Sequence, residues 1–269
     1  MAILLQINKL NYKINDDKIF NISLDVQKGD YISIIAPNKS GKTILTRLIC
    51  AIIPTDNKFQ VDGIILNKEN VLDYLEKIGI VSNELNIFLT KKVKDELTLP
   101  LKNLGYNESK INKRLNKIVE FFQVEDILDK NPNLLDSNNQ AKLQIIISLM
   151  HDPKILILDD AFNNMNNETK NFMLEKLSIL NKDGLTILNI TSNLDTIYDS
   201  NQVYLLNNFK LDNLGSVLET FEEDNYLRQI GLEIPFIIDL SIKLRFYGLI
   251  DKIYFNLEEL EEDLWKSNS

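Results

Sequence analysis

Four consecutive residues, Ser40-Gly41-Lys42-Thr43, have the types and order that hold a phosphate chain at the start of a helix. Curled backbone N–H groups there face the anion, a lysine reaches its terminal phosphates, and a hydroxyl binds Mg²⁺. Lys42 and Thr43 supply the last two roles, and Ala36, Pro37, Asn38, Lys39, Ser40 and Gly41 form the loop before them. In the pattern GxxxxGK[ST], Ala36 stands at the first glycine, a mild change. Lys39 matters more, because a side chain is costly wherever such a loop needs positive φ. A matching carboxylate ends the apolar run ILILDD, where Asp159 is placed to hold a Mg²⁺-bound water near Thr43 if the two strands pack side by side.

The elements around these residues suit the chemistry. YISIIA (31–36) reads as a buried strand, PNKSGK (37–42) as a polar loop, and TILTRLICAII (43–53) as an apolar helix ended by Pro54. Short strands are expected over 58–66, with Asp62-Gly63 turning between them, and over 77–81. Residues 91–150 change rhythm: Ile111, Leu115, Ile118, Val119 and Phe122 recur at helical spacing, a polar connector follows, and a helix begins at 141. Strand 154–160, helix 167–184 closed by Gly184, strand 185–192 and strand 202–208 restore an α/β order with buried parallel strands. From about 211, two or three short helices are expected around Gly231 and Pro235, then an acidic amphipathic helix at 257–267 carrying Trp265.

Composition sets outer limits. The chain has 269 residues, 44% of them apolar, which suffices for one large core with a small annex. A net charge of -9 argues against nonspecific nucleic-acid binding. One cysteine, Cys50, forms no internal disulfide and suits a buried core position. No stretch reaches the roughly 18 apolar residues that a membrane span needs. His151 is expected on a surface turn, and Lys91, Lys92 and Lys94 on a solvated face.

With these motifs placed, the whole chain resembles the ATP-binding subunit of an ABC transporter, most closely the cobalt or energy-coupling-factor type. APNKSGKT matches the family's Walker A motif, ILILD its Walker B, and HDPKILILDD the usual lead-in. VKDEL (93–97) with NLG (103–105) fits the opening of its helical domain, and 227–249 looks like its C-terminal pairing segment. The resemblance implies a P-loop NTPase with a RecA-like α/β core (1–83 and 151–210) and an antiparallel β annex. It further implies a helical subdomain (84–150) and a C-terminal dimerisation segment (211–269). It implies ATP and Mg²⁺ as ligands, Tyr12 stacking on adenine, and Thr43 and Asp159 at the metal. Implied partners are a second ABC ATPase subunit, a transmembrane coupling subunit and a substrate-binding membrane subunit, with the chain peripheral on the cytoplasmic face of the cell membrane.

Departures from the family pattern are concentrated in catalysis. The signature LSGGQ aligns with Leu135, Asp136, Ser137, Asn138 and Asn139, so a carboxylate replaces a serine near phosphate. Lys142 takes the following arginine position. Asp160 replaces the Walker B glutamate, Ser192 the switch histidine and Asn83 the Q-loop glutamine; Met165-Asn166 stands for the D-loop Leu-Asp. Lys42, Thr43 and Asp159 remain. Binding needs the cradle and the metal ligand, whereas hydrolysis also needs a water-orienting shell. The sequence therefore reads as an ATP-binding subunit with weak or absent hydrolysis that pairs with a more active one. Two alternatives stand beside it: a structural partner that binds no nucleotide, and a soluble ABC ATPase outside transport.

Overall fold

A computed structural model describes residues 2–15, 18–55, 58–82 and 87–267. One continuous sheet of ten strands organises these residues, in the order β5-β4-β1-β2-β10-β9-β3-β8-β7-β6. Its parallel half comprises β3 (Tyr31–Ile35), β6 (Ile78–Ser82), β7 (Ile155–Asp159), β8 (Thr186–Thr191) and β9 (Gln202–Asn207). The antiparallel half comprises β1 (Ile3–Asn15), β2 (Lys18–Gln27), β4 (Phe59–Val61) and β5 (Ile64–Ile65). Between the halves, β10 (Lys210–Gly215) runs antiparallel to β9 and meets β2 at the single pair Lys210↔Asn21.

Alternation along the parallel strands divides the core in two. Ile32, Ile34, Ile155, Ile157, Leu188 and Ile190 face one side, under α1 (Lys42–Ile49) and α2 (Val71–Glu76). Tyr31, Leu156, Leu158 and Ile187 face the other. That side is covered by α3 (Val93–Asn103), α4 (Glu108–Phe122), α5 (Ser137–Leu149) and α6 (Asn167–Lys182). Strands buried on both faces explain the unbroken apolar runs.

A third cluster joins Val203 and Leu205 of β9 to the C-terminal segment. That segment holds α7 (Val217–Glu222), α8 (Asp224–Gln229), α9 (Phe236–Phe246) and α10 (Leu257–Ser267). Arg245 clamps Glu222 in a two-pronged pair at 2.7 and 2.8 Å, tying α9 to α7. Ile250, Tyr254 and Leu260 pack the chain before α10, and α10 itself, back on α9.

Several local expectations change. The helix after the phosphate loop stops at Ile49, not Ile53, because Ala51 turns left-handed (φ 56°) and the N–H groups of Ile52 and Ile53 both return to the Arg47 carbonyl. Helix α5 starts at Ser137, four residues earlier than expected, since the Asp136 carboxylate caps it by accepting from Asn139 N at 2.9 Å. Strand β10 falls in the stretch expected to turn helical, so the sheet extends to Gly215. His151 sits on a turn but is half-buried, its Nε2 3.0 Å from the Ile78 carbonyl oxygen, and burial holds its pKa below the usual imidazole range. Asp62 and Gly63 turn as expected, both at positive φ.

Gly79 is the tightest point of this frame. A Cβ there would lie 2.5 Å from the Ser148 carbonyl oxygen and 3.0 Å from Pro153, so β6 reaches α5 only without a side chain. Gly79→Ala should lower stability by about 1–3 kcal/mol, the usual cost of overpacking. The check is a lower urea midpoint with an unchanged slope.

Candidate functional site

The ends of three parallel strands converge on Lys42. Strand β8 lies between β3 and β7, so the two motif-bearing strands are not neighbours, contrary to the side-by-side arrangement that the metal assignment assumed. The intervening strand links them instead. Ala36 N donates to the Thr191 carbonyl, and Asp160 N donates to the Ile190 carbonyl, each at 2.9 Å. Both loops therefore leave the sheet from fixed points beside the end of β8. Helix α1 packs against β7 and β8.

Two residues of the loop, Lys39 and Gly41, are left-handed. Gly41 caps α1 at φ 101°, and a Cβ there would meet Phe20 Cζ at 2.7 Å and Phe209 at 3.0 Å. Lys39 is left-handed too, at φ 66°, the strain its position implied. Lys42 is buried; its ammonium donates to the Ala36 carbonyl at 3.3 Å and pairs with Asp160 Oδ2 at 2.9 Å. The other Asp160 oxygen, Oδ1, accepts from Ser192 N at 3.0 Å and from the Ser192 and Thr191 hydroxyls at 3.3 Å. Asp160 is held at φ 49°. Asp159 is buried, with Ser82 Oγ at a long 3.5 Å from Oδ2.

Elements outside the motif wall the site. Tyr12 lies opposite Phe20 in the β1–β2 register and is half-buried. Phe20 packs edge-on against Phe209 at 5.3 Å, and both rings lie against Gly41. Sequence reasoning singled out Tyr12 but missed these two rings. Their signal is weak, because Phe20 reads as an ordinary inward strand residue and Phe209 sits in a tight turn. Asn83 lies outside the described residues. The aligned signature residues are far along the chain from this loop, at the start of α5. There Asp136 is engaged by Asn139, through its backbone N–H and its side-chain amide, which holds the carboxyl below the usual range. Asn138 Oδ1 accepts from Asn166 N at 2.6 Å, joining the signature and D-loop positions.

A model of the ABC transporter family matches residues 19–163. The energy-coupling factor transporter ATP-binding protein EcfA1 of Streptococcus thermophilus is 32% identical over 271 residues, covering 98% of each chain. The chain belongs to the ABC transporter family, in its energy-coupling-factor branch. Among solved structures, CbiO1 of Clostridium perfringens superposes with a TM-score of 0.74 at 22% identity, covering 87% of this chain and 97% of that one. The dimeric ATP-binding cassette MJ0796, solved with ADP and Pi, reaches 0.68 at 21% identity, with 78% and 99% covered. These likenesses bear out the RecA-like fold with its antiparallel region and helical additions.

Binding of ATP with Mg²⁺ is general to this family. The loop of this energy-coupling-factor subunit fits such a ligand on its own evidence. Ser40 Oγ is buried with no hydrogen-bond partner among the described residues, and Lys42 supplies a buried cation.

Lys39 makes the strain testable. A left-handed side chain costs about 1–2 kcal/mol, whereas glycine adds about 0.5–1 kcal/mol of unfolded-state entropy. Lys39→Gly is therefore expected to stabilise the ligand-free chain by about 0.5–1 kcal/mol, seen as a higher thermal midpoint.

Proposed function

We propose that this chain is the weakly hydrolytic ATP-binding subunit of an uptake transporter. Residues 36–43 hold the phosphates, with Lys42 as counter-ion, and Tyr12 flanks the base. Thr43 and Asp159 hold Mg²⁺, which neutralises phosphate charge when bound. The core (1–83 and 151–210, extended through β10), the helical part (84–150) and the C-terminal segment are three functional regions of this one subunit.

The carrying observation is the state of Asp160. Oδ1 is held by the Ser192 N–H and the Ser192 and Thr191 hydroxyls, and in the ligand-free site Oδ2 is held by the Lys42 ammonium. A general base needs a free oxygen toward the water it activates. Asp160 is a methylene shorter than glutamate, and its partner Ser192 has no imidazole to relay a proton. This site is therefore read as binding without efficient turnover. Asp136, placed where the family offers a serine to phosphate, points the same way for a composite site with a second subunit.

A more active ATPase subunit would complete the pair, with a transmembrane coupling subunit and a substrate-binding membrane subunit beyond it. No helix among the described residues is long and apolar enough to cross a membrane, which agrees with a peripheral position on the cytoplasmic membrane face. Phe246 and Tyr247 are 85% and 75% exposed at the end of α9, a surface suited to a protein partner.

Lys42→Ala should weaken equilibrium binding of a non-hydrolysable ATP analogue at least tenfold, about 1.4 kcal/mol. Unchanged affinity would remove Lys42 from the site, and no binding by the parent chain would favour a purely structural subunit. The chain alone should release phosphate far more slowly than the ~10 s⁻¹ typical of enzymes, and Asp160→Asn should change that residual rate little. Fast turnover abolished by Asp160→Asn would make Asp160 a working base. Replacing Phe246 and Tyr247 by serine should weaken co-purification with the ATPase partner while leaving analogue binding intact.

A further inference from the structure

A second cationic site lies far from the phosphate loop. An open cleft of about 390 Å³ runs along α4 beside the turn that joins α5 to β7. Its long wall carries Lys110, Lys113, Arg114 and Lys117, spaced i, i+3, i+4 and i+7, which places all four on one stripe of the helix. The opposite wall is formed by Met150, His151 and Asp152. His151 is anchored to the carbonyl of Ile78, the first residue of β6. The cleft thus sits at the N-terminal edge of the parallel strands, whereas the phosphate loop follows their C-terminal ends.

The stripe is cationic in an acidic chain. The chain carries 39 acidic against 30 basic side chains, yet Lys110, Lys113 and Lys117 pair with no carboxylate among the described residues. Asp152 is the carboxylate in the cleft wall, and Arg114 holds it at 3.2 Å. Arg114 is itself fixed by donating to the Leu149 and Met150 carbonyls at 2.7 and 3.2 Å. What remains among the described residues is three lysines with no ion pair along about 10 Å of helix, close enough to repel one another. Lys110 lies 5.9 Å from the centre of the Tyr106 ring, which lines the same cleft.

We propose that this cleft is a second anion site, separate from the nucleotide loop, that takes a small soluble polyphosphate group. Two or three linked phosphates span the stripe and meet all three lysines, whereas a single phosphate meets only adjacent ones. The volume suits a small ligand, and Tyr106 offers a face for a base or sugar attached to the phosphates. The proposal does not depend on the reading of Asp160 or on turnover.

The test uses the full chain and inorganic tripolyphosphate, followed by isothermal titration at low and moderate salt. Lys42→Ala removes the contribution of the phosphate loop and should leave one salt-sensitive binding event. In that background, Lys113→Gln with Lys117→Gln should weaken binding at least tenfold, and the arginine pair K113R/K117R should restore it. Both lysines are exposed, so the thermal midpoint should not move and serves as the folding control. Two results overturn the proposal: Lys42→Ala alone abolishing all tripolyphosphate binding, or the glutamine pair binding as the parent does. A parallel flotation with vesicles containing phosphatidylglycerol covers the lipid source. Vesicle capture that depends on Lys113 and Lys117, without tripolyphosphate binding, would overturn the soluble ligand in favour of a headgroup contact.

Discussion

The last carbonyls of β8 hold the site together. Ile190 accepts from Asp160 N on one side, and Thr191 accepts from Ala36 N on the other. Two loops that are distant in sequence are thereby set one strand apart on each side of a common rail. Parallel pairing alone aligns strands but does not stop loops from diverging once they leave the sheet. These two bonds carry the ladder one residue further, so the phosphate loop and the carboxylate pair begin from fixed positions. The buried amide of Asn189 braces the same strand end by donating to the carbonyl and hydroxyl of Thr196, in the turn that follows Ser192.

That geometry ties the site residues to one another. Ser192 grips Asp160 through its backbone N–H and hydroxyl, and the same carboxylate pairs with Lys42. The charge of a buried lysine is then balanced inside the protein, as burial demands. A similar self-sufficiency appears at the start of α5, where Asp136 satisfies the helix end and Asn138 reaches across to Asn166. At both places the side chains are held by hydrogen bonds and ion pairs within the chain.

How much of this was legible follows from which residues report on their neighbours. The strands that precede Lys42 and end in Asp159 are plain from their unbroken apolar runs. The turn at Asp62-Gly63 is readable because few pairs tolerate two positive φ values. Strand β10 is not: KLDNLG carries little apolar surface, and only pairing with β9 makes it a strand. Nor does sequence show that β8 inserts between β3 and β7, since strand order is a property of the assembled sheet. The Lys42–Asp160 pair is hidden for the same reason, and so is the contact of Phe20 and Phe209 with Gly41, which joins three segments of chain. Asp136 stands out in the sequence as a carboxylate in the stretch aligned with the signature, but its role as a helix cap needed the backbone to be seen.

The joint between the two halves of the sheet has a mechanical meaning. Along β2 and β10 the backbone ladder is reduced to the pair Lys210↔Asn21, backed by the Asn21 N–H to Phe209 carbonyl bond and the Phe20–Phe209 edge contact. Tyr12 belongs to one side of this seam, while the phosphate loop leaves from the other. A ligand that touched both would bridge them much as a rivet joins two plates, and an elongated molecule would fasten the seam where a compact anion could not. The stiffness of the seam would then report whether an occupant reaches from the loop to the ring.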